Sequence, residues 1–188
     1  TDYSKYKADC EIILKKHLTE NFTPIIIRPA TVCGYSPRQR LDVVVNILTN
    51  LAYHNRSISV FGGKQLRPNI HIEDMVRVYE VLIQAPKSKV SGEIFNVGYE
   101  NHSVLELANI VKKVIGEDVK LKTVPTNDNR SYHISSMKIK NTLGFETSKT
   151  ISDAVNDLKL AFQNGLLANS LNDEKYFNIK RMQSVQLV

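Results

Sequence analysis

Cysteine and long apolar runs are both scarce in this sequence of 188 residues. The two cysteines, Cys10 and Cys33, are too few to staple a fold, and neither belongs to a metal-ligand spacing such as Cys-x-x-Cys. No stretch approaches the apolar length that spans a bilayer, and no signal peptide opens the sequence. These absences predict a reduced, cytoplasmic protein without a membrane partner.

Glycine is also scarce, with eight residues in the chain. None are spaced as Gly-x-Gly-x-x-Gly or Gly-x-x-Gly-x-x-Gly after a strand. A dinucleotide-binding fold needs such a loop, because the backbone must approach the pyrophosphate at a helix N-terminus. We therefore expect that this chain alone does not supply that loop.

The five histidines show no metal-binding pattern. No pair has the i, i+4 spacing of a helical metal site, and no Cys-x-x-Cys accompanies them. His71 falls on a predicted buried strand, where a hydrogen-bonded core residue is the simpler interpretation. The sequence predicts no metal site.

The net charge of +6 raises the question of an anionic partner. Lysines and arginines are interleaved with acids, as where Lys112 and Lys113 are followed by Glu117 and Asp118. No run of like charge appears, and aromatic residues do not alternate with basic ones as they do in a stacking platform for nucleic acid. The distribution argues against nucleic acid, and positive charge also suits a pyrophosphate-bearing substrate.

Helical and strand-like segments alternate along the chain, which favours an α/β fold with parallel strands. Ile25-Ile26-Ile27 is a short apolar run typical of a buried parallel strand. Ser103 and Glu106 form the S-x-x-E pattern that caps a helix N-terminus. The other predicted segments are helices over 3–18, 41–54, 73–84 and from Ile151 until Gly165, and strands over 57–61, 69–72, 93–97 and 119–124.

Tyr3 and Lys7 are four residues apart, so on a helix they share one face. A phenol ionises near pH 10 and is a poor base at neutral pH. A neighbouring ammonium stabilises the phenolate, which allows a tyrosine to exchange a proton with a substrate hydroxyl. Taken alone this spacing is weak, because a surface helix with a solvated lysine has the same pattern.

Later segments of the chain strengthen the signal. The helix leads to a strand ending in Arg28-Pro29 and to a turn at residues 34–37. Further segments are Phe61-Gly62-Gly63-Lys64-Gln65-Leu66-Arg67-Pro68-Asn69-Ile70-His71-Ile72-Glu73-Asp74, then Phe95-Asn96-Val97-Gly98 with Ser103 to Leu107, then Asp128 to Tyr132, Lys138 to Glu146 and Ile151 to Ala154. In this order, from residue 3 to about residue 165, they resemble the extended short-chain dehydrogenase/reductase family, in its branch of nucleotide-sugar epimerases and dehydratases.

The resemblance implies the C-terminal part of a doubly wound, Rossmann-like parallel sheet with a smaller α/β substrate-binding lobe. Residues 1–165 would form the C-terminal half of an NAD-dependent epimerase or dehydratase, and residues 166–188 a tail. The implied partners are NAD or NADP, a nucleotide-diphosphate sugar and, when the protein is complete, a second copy in a homodimer. The enzyme would be an isomerase or oxidoreductase of carbohydrate biosynthesis, and this chain alone is expected to be inactive.

The family's roles carry over by position. Tyr3 matches the catalytic tyrosine, and Lys7 matches the lysine that stabilises the phenolate and binds the nicotinamide ribose. Arg67 and Arg130 match arginines on the substrate side, where a guanidinium fork suits diphosphate oxygens. The other substrate-binding candidates are Thr31, in place of a common asparagine, and the loop residues Arg38 and Arg40.

Departures from the family pattern and alternative functions remain. Pro68 replaces the usual aspartate after Arg67, and Asn46 matches a substrate-contacting asparagine in some relatives but is expected at an exposed helix position. Two other functions stay open: a non-catalytic fragment that binds nucleotide diphosphates, and an extended-family reductase acting on a non-sugar substrate. The two predicted phosphate-binding arginines argue against the reductase.

Overall fold

Helices and strands alternate along most of the chain in the computed structural model, which describes residues 2–127 and 130–186. The predicted α/β class is confirmed. The elements are α1 (Asp2–Lys16), β1 (Ile26–Pro29), β2 (Thr31–Cys33), α2 (Val44–Asn55), β3 (Ser57–Phe61), β4 (Leu66–His71), α3 (Ile72–Gln84), α4 (Lys87–Val90), β5 (Ile94–Val97), β6 (Glu100–Ser103), α5 (Val104–Ile115), β7 (Lys120–Val124), α6 (Met137–Leu143), α7 (Ile151–Gln163), a 3-10 turn (Glu174–Tyr176) and α8 (Asn178–Ser184).

The strands form three small sheets: β1–β5, β2–β4–β6 and β3–β7. All neighbours are parallel except β4 and β6, which are antiparallel. The first two sheets meet at Ala30, whose amide donates to the Val97 carbonyl at 2.6 Å, while the Tyr99 amide donates to the Asn69 carbonyl at 2.9 Å. The chain therefore passes directly from the end of β1 into the second sheet.

Two apolar clusters support these sheets. One lies among β1, β5 and α3 and includes Met75, Val78 and Phe95. The other joins α2, α5 and α7 to β3 around residues such as Leu48 and Leu107. The α5 helix begins with the predicted capping box, in which the Ser103 hydroxyl accepts from the Glu106 amide and the Glu106 carboxylate accepts from the Ser103 amide. The capping box thus starts α5 at the residue from which its apolar face can pack on the core.

The first helix and strand are less enclosed than the sequence predicts. No residue of α1 is buried, and Tyr6, Ile12 and Ile13 on it are 63%, 56% and 54% exposed. Of the apolar run at residues 25–27, only Ile26 is fully buried, because within the described part of the chain β1 pairs with β5 alone. The expectation of a fully buried strand is therefore wrong for this chain by itself.

Residues after α7 pack on the body. The Leu41 amide donates to the Tyr176 carbonyl at 2.9 Å, and the Asn178 amide donates to the Asp42 carboxylate at 2.9 Å. Leu167 and Tyr176 belong to a third apolar cluster with Leu158 of α7 and Leu41. Among the residues described, no helix is both long enough and apolar enough to cross a membrane.

Candidate active-site cleft

Tyr3 and Lys7 line one cleft between α1 and β1. The cleft has a volume of about 630 Å³, and its far wall is the backbone and side chains of Ile26 to Pro29. Tyr3 is 74% exposed, so its phenol is open to a ligand. Ser4, Cys10, Glu11 and Leu14 also line the cleft from α1. The predicted catalytic pair therefore lines a concave surface that runs along the parallel strand β1 and reaches its carboxyl end at Pro29.

A two-point ion pair ties α1 to β1. Arg28 donates through Nε to one oxygen of Glu11 at 2.8 Å and through Nη2 to the other at 2.5 Å. The hydrogen bonds from Arg28 hold the pKa of Glu11 below its ordinary value. Because Arg28 is largely exposed, the pair contributes little to stability. Its bidentate geometry connects β1 to the helix that carries Tyr3 and Lys7.

Arg67 and Arg130 come together, although 63 residues separate them. The Arg67 guanidinium donates to the carbonyl of Arg130 and to the carbonyl of Leu66, and lies 5.8 Å from the centre of the Tyr132 ring. The Leu66 amide in turn donates to the Ser131 hydroxyl at 2.9 Å. The segment from residue 130 to 132 is therefore fastened beside the start of β4. Asp128 and Asn129 of the same predicted motif lie outside the described residues.

Strand pairing places Arg67 near the chain that follows β1. Thr31 of β2 is opposite Asn69 of β4 in a parallel pair. Arg67 precedes Asn69 by two residues, and Thr31 comes two residues after Pro29, which ends β1 and lines the cleft. The segment that carries Arg130 is attached to the same end of β4.

Thr31 and Asn69 face each other within the second sheet, next to the point where it meets the first. Thr31 is half-buried, whereas Asn69 is fully buried and donates from its amide nitrogen to the Arg67 carbonyl at 2.8 Å. The Asn69 side-chain oxygen is buried without a hydrogen-bond partner among the described residues. The sequence predicts a strand only from residue 69, since nothing before that position signals that β4 begins at Leu66.

Arg38 and Arg40 lie in a different environment. Arg38 lines a separate cleft of about 370 Å³ that shares no lining residue with the Tyr3 cleft. Arg40 is exposed and pairs with Asp42 at 2.9 Å. The structure therefore does not bring these two arginines into the cleft of Tyr3 and Lys7, and their contact with a substrate phosphate stays a prediction.

Asn46 is buried, which corrects the expectation of an exposed helix position. It is 3% exposed, accepts from the Gly34 amide at 3.1 Å and donates to the Arg40 carbonyl at 2.8 Å. Both bonds hold the loop that follows β2. Helix periodicity could not reveal this, because the partners are backbone groups of an irregular segment.

Replacing Asn46 with alanine is expected to lower the free energy of unfolding by about 1–3 kcal/mol, because the buried Gly34 amide loses its acceptor. Urea unfolding followed by circular dichroism measures the change. Asn109→Ala is the control, since Asn109 is an exposed residue of α5, and it should change stability by less than about 0.5 kcal/mol. Equal effects of the two substitutions would contradict the structural role of Asn46.

His71 and Cys33 are core residues. The His71 ring accepts from the Glu73 amide through Nδ1 and meets the Asp157 carboxylate through Nε2, both at 3.1 Å, so the expectation of a hydrogen-bonded core histidine is confirmed. Burial raises the pKa of Cys33 to about 12, which leaves its thiol protonated and unreactive. Within residues 2–127 and 130–186, no group of three or more metal-binding side chains is placed to hold a metal ion.

The residues present fit one end of a nicotinamide dinucleotide. Tyr3 and Lys7 offer a hydroxyl and an ammonium to a cleft along a parallel strand, which suits a ribose and its attached ring. The pyrophosphate end has no matching loop, because the paired glycines 62 and 63 lead into β4 and not into a helix.

Comparison with known proteins settles the family. The sequence profile of the NAD dependent epimerase/dehydratase family matches residues 1–98, which is half of the chain. The chain belongs to this family. The match contains α1, β1 and both residues of the Tyr-x-x-x-Lys pair.

Two curated relatives are each similar to this chain over part of their own length. CDP-paratose 2-epimerase of Salmonella typhi is 29% identical over 107 residues, which are 54% of this chain and 31% of that protein. The dTDP-4-dehydro-6-deoxy-D-allose reductase of Streptomyces bikiniensis is 31% identical over 129 residues, 65% of this chain and 38% of that protein. The chain thus spans about a third of the length of these relatives.

Solved structures show the same fold. UDP-glucose 4-epimerase of Thermotoga maritima, solved with UDP-glucose, superposes with a TM-score of 0.73 at 24% identity, over 85% of this chain and 52% of that one. The dTDP-glucose 4,6-dehydratase of Bacillus anthracis, solved with NAD, gives 0.71 at 20% identity, over 94% of this chain and 54% of that one. The Rossmann-like α/β architecture is therefore confirmed.

Proposed function

We propose that this chain supplies the catalytic pair and the substrate-binding lobe of an NAD-dependent enzyme that epimerises or dehydrates a nucleotide-diphosphate sugar. The observation that carries the proposal is the open cleft that Tyr3 and Lys7 line together with β1. A second observation supports it: the Arg67 guanidinium bonds to the Arg130 carbonyl at the start of β4. The family membership supports the reaction class.

The chemistry assigned to this chain is proton transfer. The Tyr3 phenolate would take the proton of a sugar hydroxyl as the carbon that bears this hydroxyl is oxidised, and the resulting phenol would return the proton when the keto-sugar is reduced. The Lys7 ammonium, one helical turn away, stabilises the phenolate and holds the ribose. Bound NAD supplies the hydride acceptor.

The two arginines are assigned to the negatively charged part of the substrate. Arg67 and Arg130 would bind the diphosphate, since a planar guanidinium offers paired donors to phosphate oxygens. The bond from Arg67 to the Arg130 carbonyl positions the second arginine beside the first. The Thr31 hydroxyl, two residues after Pro29 of the cleft, would hydrogen-bond the sugar.

The remaining cofactor contacts are assigned to a further domain that carries the glycine loop. Two features support this. Parallel strands are normally covered on both faces and at both sides, whereas β1 has one strand partner among the described residues. Apolar side chains on α1 are also exposed. In this arrangement residues 1–165 form one half of the enzyme and residues 166–188 its tail, and the complete protein pairs as a homodimer.

The second candidate is a binding module without catalysis, favoured by the lack of a glycine loop in the sequence. Calorimetric titrations of the chain with UDP and with NAD distinguish binding of a nucleotide diphosphate from binding of the cofactor. We expect UDP to bind and NAD to bind at least tenfold more weakly, because the pyrophosphate loop is supplied elsewhere. If UDP fails to bind, the assignment of Arg67 and Arg130 is wrong.

The Arg67→Gln variant sharpens this titration. Loss of a charge-assisted, paired contact should weaken UDP binding by about tenfold or more. Arg181→Gln, which removes an exposed arginine of α8, is the matched control and should leave the UDP affinity unchanged. If both variants lose the same UDP affinity, the effect comes from net charge alone, and a specific site at Arg67 is contradicted.

A further inference from the structure

We propose that a second cleft, between the loop of residues 35–39 and the C-terminal segment of residues 166–181, binds a small phosphomonoester that carries an apolar body. The cleft has a volume of about 370 Å³ and is separate from the one that contains Tyr3. Its ligand is defined by three properties of the walls: their charge, their apolar surface and their rigidity.

The charge of the walls is of one sign. Arg38, Lys175 and Arg181 line the cleft, and no aspartate or glutamate is among the lining residues. Lys175 pairs with Asp173 at 2.9 Å and Arg181 pairs with Glu174 at 2.7 Å, but both cations are exposed and both carboxylates are at least partly exposed, so these pairs are weak. A dianionic phosphate can accept from all three cations at once, which neither carboxylate does.

The rest of the surface is apolar and aromatic. Tyr35 and Pro37 line the loop side, and Leu166, Leu167 and Tyr176 line the side of the C-terminal segment. Leu166 is 55% exposed, so part of this surface faces solvent. A ligand with a ring or a short aliphatic body attached to its phosphate would cover this apolar surface, whereas inorganic phosphate would leave the surface exposed to water.

Both walls are held in place before any ligand arrives. Gln39, 4% exposed, accepts from the Ser36 amide at 2.9 Å and donates to the Arg40 carbonyl at 3.0 Å, which fixes the turn that carries Arg38. On the other side, the Tyr176 hydroxyl donates to the Ala168 carbonyl at 3.2 Å. The bond from the Leu41 amide to the Tyr176 carbonyl joins the two walls. A preorganised cleft lowers the entropic cost of binding.

Arg38 then serves this cleft and not the nucleotide diphosphate. The inference is independent of the proposed enzymatic function, because it uses none of the residues assigned to that function. It also gives the C-terminal segment a role, since the ligand would clamp that segment against the loop after β2.

Phenyl phosphate is a suitable probe, measured by calorimetry and by the amide spectrum of the chain. We expect it to bind at least fivefold more tightly than inorganic phosphate, to shift amides of residues 35–39 and 166–181, and to bind equally in saturating UDP. Arg38→Gln should weaken binding by about tenfold, and Arg67→Gln should not change it.

The reverse results overturn the inference. Undetectable binding, equal affinities for phenyl phosphate and inorganic phosphate, or equal affinities of the wild-type chain and Arg38→Gln would each do so. Displacement of the probe by UDP would mean that the cleft belongs to the nucleotide site. Failure of UDP to bind would contradict the proposed function and leave this test intact.

Discussion

Replacing Tyr3 with phenylalanine is expected to lower turnover of a nucleotide sugar by about 10²- to 10⁴-fold in the protein assembled with its cofactor-binding half. The substitution removes only the hydroxyl that exchanges the proton, and the 74% exposed ring contributes little packing. Binding of the nucleotide sugar should change little, because its diphosphate is assigned to Arg67 and Arg130. Steady-state rates together with calorimetric affinities separate the two effects.

Tyr6→Phe is the matched control for this experiment. Tyr6 lies on the same helix, is 63% exposed and does not line the cleft of Tyr3 and Lys7. Its phenylalanine variant should keep wild-type turnover and affinity. Wild-type turnover in Tyr3→Phe, or equal losses in the two variants, would refute the assignment of Tyr3.

Asp74→Asn is expected to have the largest effect on stability, with a loss of about 2–4 kcal/mol at pH 7. Asp74 is fully buried in α3 and accepts hydrogen bonds from the amides of Ser148 and Lys149 and from the side chain of Arg77. These bonds attach the segment between α6 and α7 to α3. An asparagine offers one oxygen in place of two and adds an NH₂ group that faces donors, so buried partners lose their acceptor.

The same substitution should change the pH dependence of unfolding. Burial raises the pKa of Asp74, but the hydrogen bonds from Lys149, Ser148 and Arg77 outweigh it and hold the pKa below the ordinary value of 3.8. A carboxyl whose pKa is lowered by folding stabilises the native state above its unfolded pKa, and this contribution is lost as the pH falls through the folded pKa. The difference in the free energy of unfolding between wild type and Asp74→Asn (the stability gap) should therefore be largest at pH 7 and should shrink below about pH 4.

Urea unfolding at a series of pH values measures that gap. Glu80→Gln is the control, because Glu80 is an exposed acid on the same helix, and it should alter stability by less than about 0.5 kcal/mol at every pH. A gap that is constant from pH 7 to pH 3 would show that the Asp74 charge is not the group that holds the segment.

Local signals in the sequence predicted much of the fold. The capping box at Ser103 and the apolar stripe of the helix from Ile151 both depend on near neighbours, and both are present. β6 and α6 were not predicted, because Glu100-Asn101-His102-Ser103 is polar and the seven residues of α6 bury only Ile139. Their positions are set by partners distant in sequence, such as β4 for β6.

The sequence named the residues of the candidate site but not how they are grouped. Motif order placed Tyr3 with Lys7 and named both Arg67 and Arg130. It could not show that a side chain–carbonyl bond joins the two arginines, or that Arg38 lines a separate cleft. Both facts depend on irregular segments, whose paths are set by individual hydrogen bonds and not by periodicity.

A map of UDP-sugar binding on the isotopically labelled chain tests the central claim most directly. We predict that UDP-glucose shifts the amides of residues 66, 67 and 130–132 and those of Thr31 and the first turn of α1, and that UDP shifts the first group without α1. That result would place a nucleotide diphosphate at the arginines and its sugar beside the tyrosine. Shifts confined to residues 35–39 and 166–181, or none at all with either ligand, would contradict it.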